Sequence, residues 1–253
     1  MAKTQTAINS GLKVASARDN GAIFAIAQNQ RGAVAGYESV INSINNGTSS
    51  IEVALSAGQS ISDLLIQLKQ KALSAADASL DTASRQALNS DFTALRDQIS
   101  TIVKNAVFNG FNLVDGSTTQ ITALASADGS RRITTQAQNM KLSGAIVTLK
   151  STSTISTQAK ASTLVATIQS SLTNVNSALA KLSAGAAKFS IQATFAQNLS
   201  DTLTIGIGHL VDANMAEESA SLQSLQVKQQ LGIQALSIAN QAPQTLLGLF
   251  QGG

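Results

Sequence analysis

The chain has 253 residues, of which 43% are hydrophobic but only 3% aromatic, with no Trp, one Tyr and one Pro, and its formal net charge is +3. Its core must be built from Ala, Leu, Ile and Val, which favours closely approaching helices over a bulky globular interior. The lack of Cys removes disulfides, thiolate nucleophiles and Cys-based zinc sites, and a single His excludes a His-pair metal site and leaves any Ser-His-Asp triad to recruit His209 alone.

The cations are scattered, the densest group being Arg131 with Arg132, and no basic stripe is visible. Nucleic-acid binding would want clustered cations with aromatics between them, so it is not expected. Gly21 to Ala27 is the only early apolar stretch, and Gln28, Asn29 and Gln30 close it. It lacks the basic start, apolar length and cleavage site of a signal peptide, and no run is long enough to span a bilayer. Export without a cleaved leader, and no membrane insertion, are the expectations.

From about Ala33 to Ala76, Ile41, Ile44, Ile51, Leu55, Ile61, Leu65, Leu68 and Ala72 recur at helical spacing, with a slip near Gly58 that resembles a stutter. This predicts one long helix. Ser79 or Asp81 is placed to cap the next one. There Leu88, Phe92, Leu95, Ile99, Ile102 and Ala106 step by four and three, with Arg85, Asp91, Arg96 and Asp97 outside the stripe. Phe108-Asn109-Gly110 signals the end of that helix and a turn. Thr118 to Leu124 and Arg132 to Ala137 are short β-like runs on either side of Asp128-Gly129, a hairpin signal.

A Ser/Thr-rich stretch, Lys150 to Thr157, leads into a second long seam of Ile168, Leu172, Val175, Leu179, Leu182, Ala186, Phe189, Ala193, Ala196, Leu199 and Leu203. Gly206-Ile207-Gly208 is expected to interrupt it as a hinge. A last amphipathic helix follows, roughly Met215 to Ala239, before Pro243 and the apolar end Leu246, Leu247, Leu249 and Phe250. The expected fold is mainly α: a long antiparallel coiled-coil-like bundle of helices at about 33–76, 81–107 and 160–204, with a small β-hairpin region at 115–150. A heptad helix cannot bury its seam alone, so the returning half must pack on the outgoing one.

No residue carries a catalytic expectation. His209 after Gly208 reads as a linker or core residue, and Glu217-Glu218 and the pair Asp77 and Asp81 read as wet helix faces or first turns. Gly206-Ile207-Gly208 lacks the context of a phosphate loop. Ser151 to Thr157 is a polar loop by default, with O-linked sugars as the sharper alternative. No cofactor or metal is expected.

Four motifs in order resemble bacterial flagellin: Ser16 to Ala22 followed by Ala25-Ile26-Ala27; Asn45-Asn46-Gly47-Thr48-Ser49 with Ile51, Val53 and Ala54; Phe108-Asn109-Gly110 with Leu113 and Asp115-Gly116; and Ala239 to Gln244 with Leu246 and Leu249. Glu218-Ser219-Ala220 through Leu222 to Gln226, and Gln234 to Ile238, are similar to the short alphaproteobacterial branch. The resemblance implies a linker remnant at 1–20, a core domain at 21–205, and a hinge with a terminal-domain helix at 206–253. It implies an extracellular filament subunit whose partners are further copies of itself, the flagellar export apparatus and its chaperone, and filament cap and junction proteins. A hook-filament junction protein is a near variant, and a cell-surface binder of acidic polysaccharide is the alternative from another class.

The family opens with an apolar helix before the segment matching Thr4 to Ala17. This chain is expected to lack it, leaving the stripe Leu222, Leu225, Leu231, Leu236 and Ile238 without its partner, the terminal helix mobile or self-associating, and filaments poorly formed unless the helix is restored. The family's segment sensed by the flagellin-specific Toll-like receptor aligns with Ile66 to Leu73, putting Gln67 at its contacting Arg and Lys71 at its contacting Leu. Weak activation of that receptor is the expectation.

Overall fold

The structure is a computed structural model that describes the backbone of residues 1–250 and the side chains of residues 1–239. Among the described residues the elements are α1 (Ala2–Ser10), α2 (Gly21–Ala75), α3 (Thr82–Asn105), β1 (Gln120–Leu124), β2 (Arg132–Gln136), α4 (Gln158–Val211) and α5 (Met215–Phe250). They form two compact units: Ala35–Ser200, and Met1–Val34 with Asp201–Gly253. The divisions fall at Val34 and Ser200, where the sequence suggested residues 20 and 205.

In the unit Ala35–Ser200, the buried line of α2 runs Val40, Ile44, Gly47, Ile51, Ala54, Gly58, Ile61, Leu65, Leu68, Ala72, Ala75, an unbroken series of steps of four and three. The expected stutter at Gly58 is absent. Glycine occupies a seam position there because a Cβ would stand 2.7 Å from Leu179 Cδ2, and at Gly47 a Cβ would stand 2.5 Å from Phe189 Cε1. The facing helix α4 buries Ala161, Ile168, Val175, Leu182, Phe189 and Ala196 at seven-residue spacing, with Ser171, Ala178 and Gly185 between them. Gly47 meets Phe189, Gly58 meets Leu179, Ser62 Oγ bonds Asn176 Oδ1 at 3.4 Å and Lys69 Nζ bonds Gln169 Oε1 at 2.6 Å. One number rises as the other falls, so the two helices are antiparallel.

Asp81 caps α3 by accepting from Ser84 N at 2.9 Å. Phe92 and Ile99 are fully buried, Leu88, Leu95 and Ile102 half-buried. The sequence left Arg96 outside the stripe, but it is buried, because α3 is covered on a second side by the segment before α4. Arg96 Nη1 donates to Ser153 O at 2.6 Å, its Nε and Nη2 donate to Asp97 Oδ1, and Asn89 Oδ1 accepts from Ile155 N at 2.8 Å. The aliphatic stem packs while the guanidinium stays bonded.

Helix α3 ends at Asn105 rather than at Phe108. Asn109 (φ 48) and Gly110 (φ 82) instead form a two-residue turn between Phe108 and Phe111, which exchange backbone bonds of 3.0 and 2.9 Å. β1 and β2 pair antiparallel from Gln120↔Gln136 to Leu124↔Arg132, turning Ile121, Ala123, Ile133 and Thr135 inward. Leu124 N donates to Ser43 Oγ at 3.1 Å and Gln192 Nε2 to Ala125 O at 3.1 Å, so the hairpin rests on both α2 and α4. The Ser/Thr-rich stretch is not a bare linker either, since Ile155 is fully buried.

In the other unit, Asn20 Oδ1 accepts from Ile23 N at 3.1 Å and starts α2 at Gly21, ahead of the expected Ala33. Ala27 is buried with Val14, Ile207 and Val211. The expected hinge at Gly206-Ile207-Gly208 lies inside α4, which runs to Val211; burial of Ile207 and Val211 holds the glycines helical. Helix α4 and helix α5 are separated by Asp212–Asn214, where Leu12 and Asp212 form an antiparallel bridge and Ala213 N donates to Gly11 O at 2.8 Å. The expected linker at 1–20 contains α1, ended by Gly11 at φ 72. Helix α5 passes Pro243 and reaches Phe250, so the pyrrolidine removes one helical hydrogen bond without ending the helix. The apolar end Leu246 to Phe250 lies outside the residues whose side chains are described.

Candidate assembly surface

The polar groups that could imitate an active site are occupied by local turns. Asp77 accepts from Ser79 N and Oγ, and Asp81 from Ser84 Oγ and N; these bonds hold both carboxyls below the usual range. Glu217 and Glu218 occupy the first turn of α5. The His209 side chain is exposed and its carbonyl accepts from Lys13 Nζ at 2.9 Å. Among the described residues no three His, Cys, Asp or Glu side chains are grouped to hold a metal, and no helix is long and apolar enough to cross a membrane.

What stands out instead is uncovered apolar surface on α5. Helix α1 packs on the start of α5. Its nine residues span about 13 Å, while Leu231 lies about 24 Å along α5 from Met215. Accordingly Leu222 and Leu225 are half-buried, and Leu231, Leu236 and Ile238 are 58, 65 and 70% exposed. The sequence read these five as one stripe, but at about 100° per residue they divide. Leu222, Leu225 and Leu236 share a face with Ile233, whereas Leu231 and Ile238 lie on the opposite face with Val227. Val227 and Ile233, both exposed, are missing from the single-stripe reading because it asked for one face only.

The seam residues are placed for folding rather than for contact with others. Phe92, Ile99, Val175, Leu182 and Phe189 are fully buried, and Leu88, Leu95, Ile102, Leu172 and Leu179 are half-buried against the same core. On the outside of α4, Ile191 (71% exposed) and Phe195 (55%) stand one turn apart. On α2, Gln67 is exposed and Lys71 is half-buried, its Nζ 2.6 Å from Asp91 Oδ2 on α3.

Heptad helices that close on each other through glycine-notched seams, together with a terminal helix apolar on two opposed sides, define a helical subunit of a larger assembly. The bacterial flagellin N-terminal helical region matches residues 1–119 and the bacterial flagellin C-terminal helical region matches residues 165–250. Flagellin FljK of Caulobacter vibrioides is 50% identical over 247 residues, covering 98% of this chain and 89% of that protein. A flagellin of Brucella melitensis is 30% identical over 258 residues, covering 98% and 91%. A putative flagellar hook-associated protein from Vibrio parahaemolyticus shares the fold at a TM-score of 0.61, with 13% identity over 77% of this chain and all of that one. The chain belongs to the bacterial flagellin family and is a structural subunit of the flagellar filament.

Proposed function

We propose that the two apolar faces of α5 are the surfaces through which copies of this chain join end on end and side by side in the extracellular filament. The observation that carries this is the exposure of Leu231 and Ile238 on one side and Ile233 and Leu236 on the other. An isolated helix with such faces is marginal in water, and covering both removes large apolar area from solvent. Two separate faces also suit a head-to-tail polymer, whose contacts join unlike patches. The chain passes through the flagellar export apparatus with its chaperone and meets cap and junction proteins at the filament ends. No residue is given a catalytic role.

The test is Leu231→Asp with Ile238→Asp in the full chain. The polymers formed by the unaltered chain, sparse filaments or shorter oligomers in electron micrographs, are expected to disappear while the melting temperature of the helical core stays where it was. Filaments of unchanged length would refute the assignment.

A further inference from the structure

The charges of the unit Ala35–Ser200 are segregated. From Ala35 to Asp128 the chain carries nine Asp and Glu against five Lys and Arg; from Gly129 to Ser200 it carries seven Lys and Arg and not one carboxylate. The sequence alone shows no basic stripe, because these cations lie far apart along the chain. The seam corrects that reading. With Ala161, Ile168, Val175, Leu182 and Phe189 as the buried row of α4, Lys160, Lys181 and Lys188 each stand one residue before a member of that row, so they form one exposed line beside the seam. Lys188 Nζ donates to Thr134 O on β2 at 3.3 Å, so that end of the line runs beside the hairpin.

On α2 the same geometry aligns the opposite sign. Glu38, Glu52 and Asp63 are exposed, and the intervals of fourteen and eleven residues return within about 40° of one direction, turned away from the seam. The acidic line is about 37 Å long and the basic one about 42 Å. Two of the five cations in the acidic half are ion-paired, Lys71 with Asp91 and Arg96 with Asp97, and neither pairing involves the line.

We infer that the Glu38, Glu52, Asp63 line of one copy receives the Lys160, Lys181, Lys188 line of a second copy, making a heterologous charge contact between the core units of adjacent subunits. Resting on the filament reading, this names a second contact apart from α5. A second copy is the occupant because one chain carries both lines, opposite in sign and matched in length, and because two unlike patches propagate a polymer where a self-complementary patch would close a dimer. Such a contact also orients subunits, since like lines repel.

The experiment uses three full-length chains: the parent, an acid-reversed variant (Glu38→Lys, Glu52→Lys, Asp63→Lys) and a base-reversed variant (Lys160→Glu, Lys181→Glu, Lys188→Glu). The pair Lys160→Glu with Lys181→Glu spares the Lys188 bond to the hairpin and serves if the triple variant loses helicity. Sedimentation velocity is run at about 20 mM and about 500 mM salt, between which the screening length falls from roughly 20 Å to under about 5 Å. The parent is expected to associate with rising concentration at low salt and to lose that at high salt. Each variant alone is expected to stay monomeric, and an equimolar mixture of the two to associate at least as strongly as the parent. Variants that associate alone as the parent does, or a mixture that stays monomeric, overturn the inference. Electron microscopy of the same samples separates it from the filament reading: filaments formed equally by parent and variants sink the contact alone, while restored association without any filament sinks the filament reading alone. A parent that is monomeric at both salts yet held on heparin through these lysines assigns the line to an acidic glycan and overturns the contact.

Discussion

At the hairpin tip, Asp128 accepts from the Ser126 hydroxyl and from the Ser130 hydroxyl and N–H, and these bonds hold its carboxyl down to about 2. The folded value lies below the ordinary 3.8, so the stabilisation is present above about pH 4 and is lost as pH falls through about 2. A carboxyl-detected NMR titration should give a midpoint near 2 for Asp128, rising toward 3.8 in a chain carrying Ser126→Ala and Ser130→Ala. A second residue points the other way. Thr135 is buried between β2 and Gly185 of α4, and its Oγ1 has no hydrogen-bond partner. A buried hydroxyl left unbonded costs about 1–3 kcal/mol, and Val has the same shape without it. Thr135→Val should therefore raise the melting temperature by roughly 2–4 °C. A fall would mean that the hydroxyl does have a partner in solution.

At the scale of the element, the depth of burial ranks the seam. Ile99→Ala and Leu182→Ala should each cost about 2–5 kcal/mol, because both side chains are fully enclosed. Leu95→Ala and Leu179→Ala, half-buried, should cost less, and Lys104→Ala and Lys160→Ala about 0.5 kcal/mol or less. Gly58→Ala should cost about 1–3 kcal/mol by driving Leu179 and Met140 aside. Denaturant midpoints would check the order, and equal losses at seam and face would contradict it. Periodicity made α2, α3, α4 and the hairpin legible in advance, since repeated apolar side chains set both the helix and its buried side. It failed where a seam position holds no apolar side chain. Gly58 looked like a break in register although the register is perfect, and Gly206 and Gly208 looked like a hinge although Ile207 and Val211 are buried around them. Arg96 was illegible for a related reason: its bonds to Ser153 and Asp97 depend on a loop far along the chain, which no local pattern reports.

At the scale of the whole molecule, what other molecules meet is the set of side chains that folding leaves outside. The two faces of α5 could be read only in part from sequence, because a residue's exposure depends on how far α1 reaches, and the charge lines emerge only once the seams fix each helix's rotation. For the segment Ile66 to Leu73 the resemblance to flagellins implies a consequence for recognition by a partner. In flagellins sensed by the flagellin-specific Toll-like receptor, the resemblance puts an Arg where Gln67 stands and a Leu where Lys71 stands. Gln67 is exposed and free to meet a partner's surface, but a neutral amide does not reproduce a guanidinium's forked donors. Lys71 is drawn to Asp91 at 2.6 Å, so covering it would desolvate an ion pair in place of an apolar contact. A combined loss of about 3 kcal/mol weakens binding more than a hundredfold. This chain should therefore activate the receptor weakly or not at all in a reporter-cell assay, and Gln67→Arg with Lys71→Leu should raise the response. The exchange at Lys71 should leave stability nearly unchanged, because a solvent-accessible pair of this kind contributes about 0–1 kcal/mol. A response from the unaltered chain equal to that of a strongly sensed flagellin would show that neither position governs recognition.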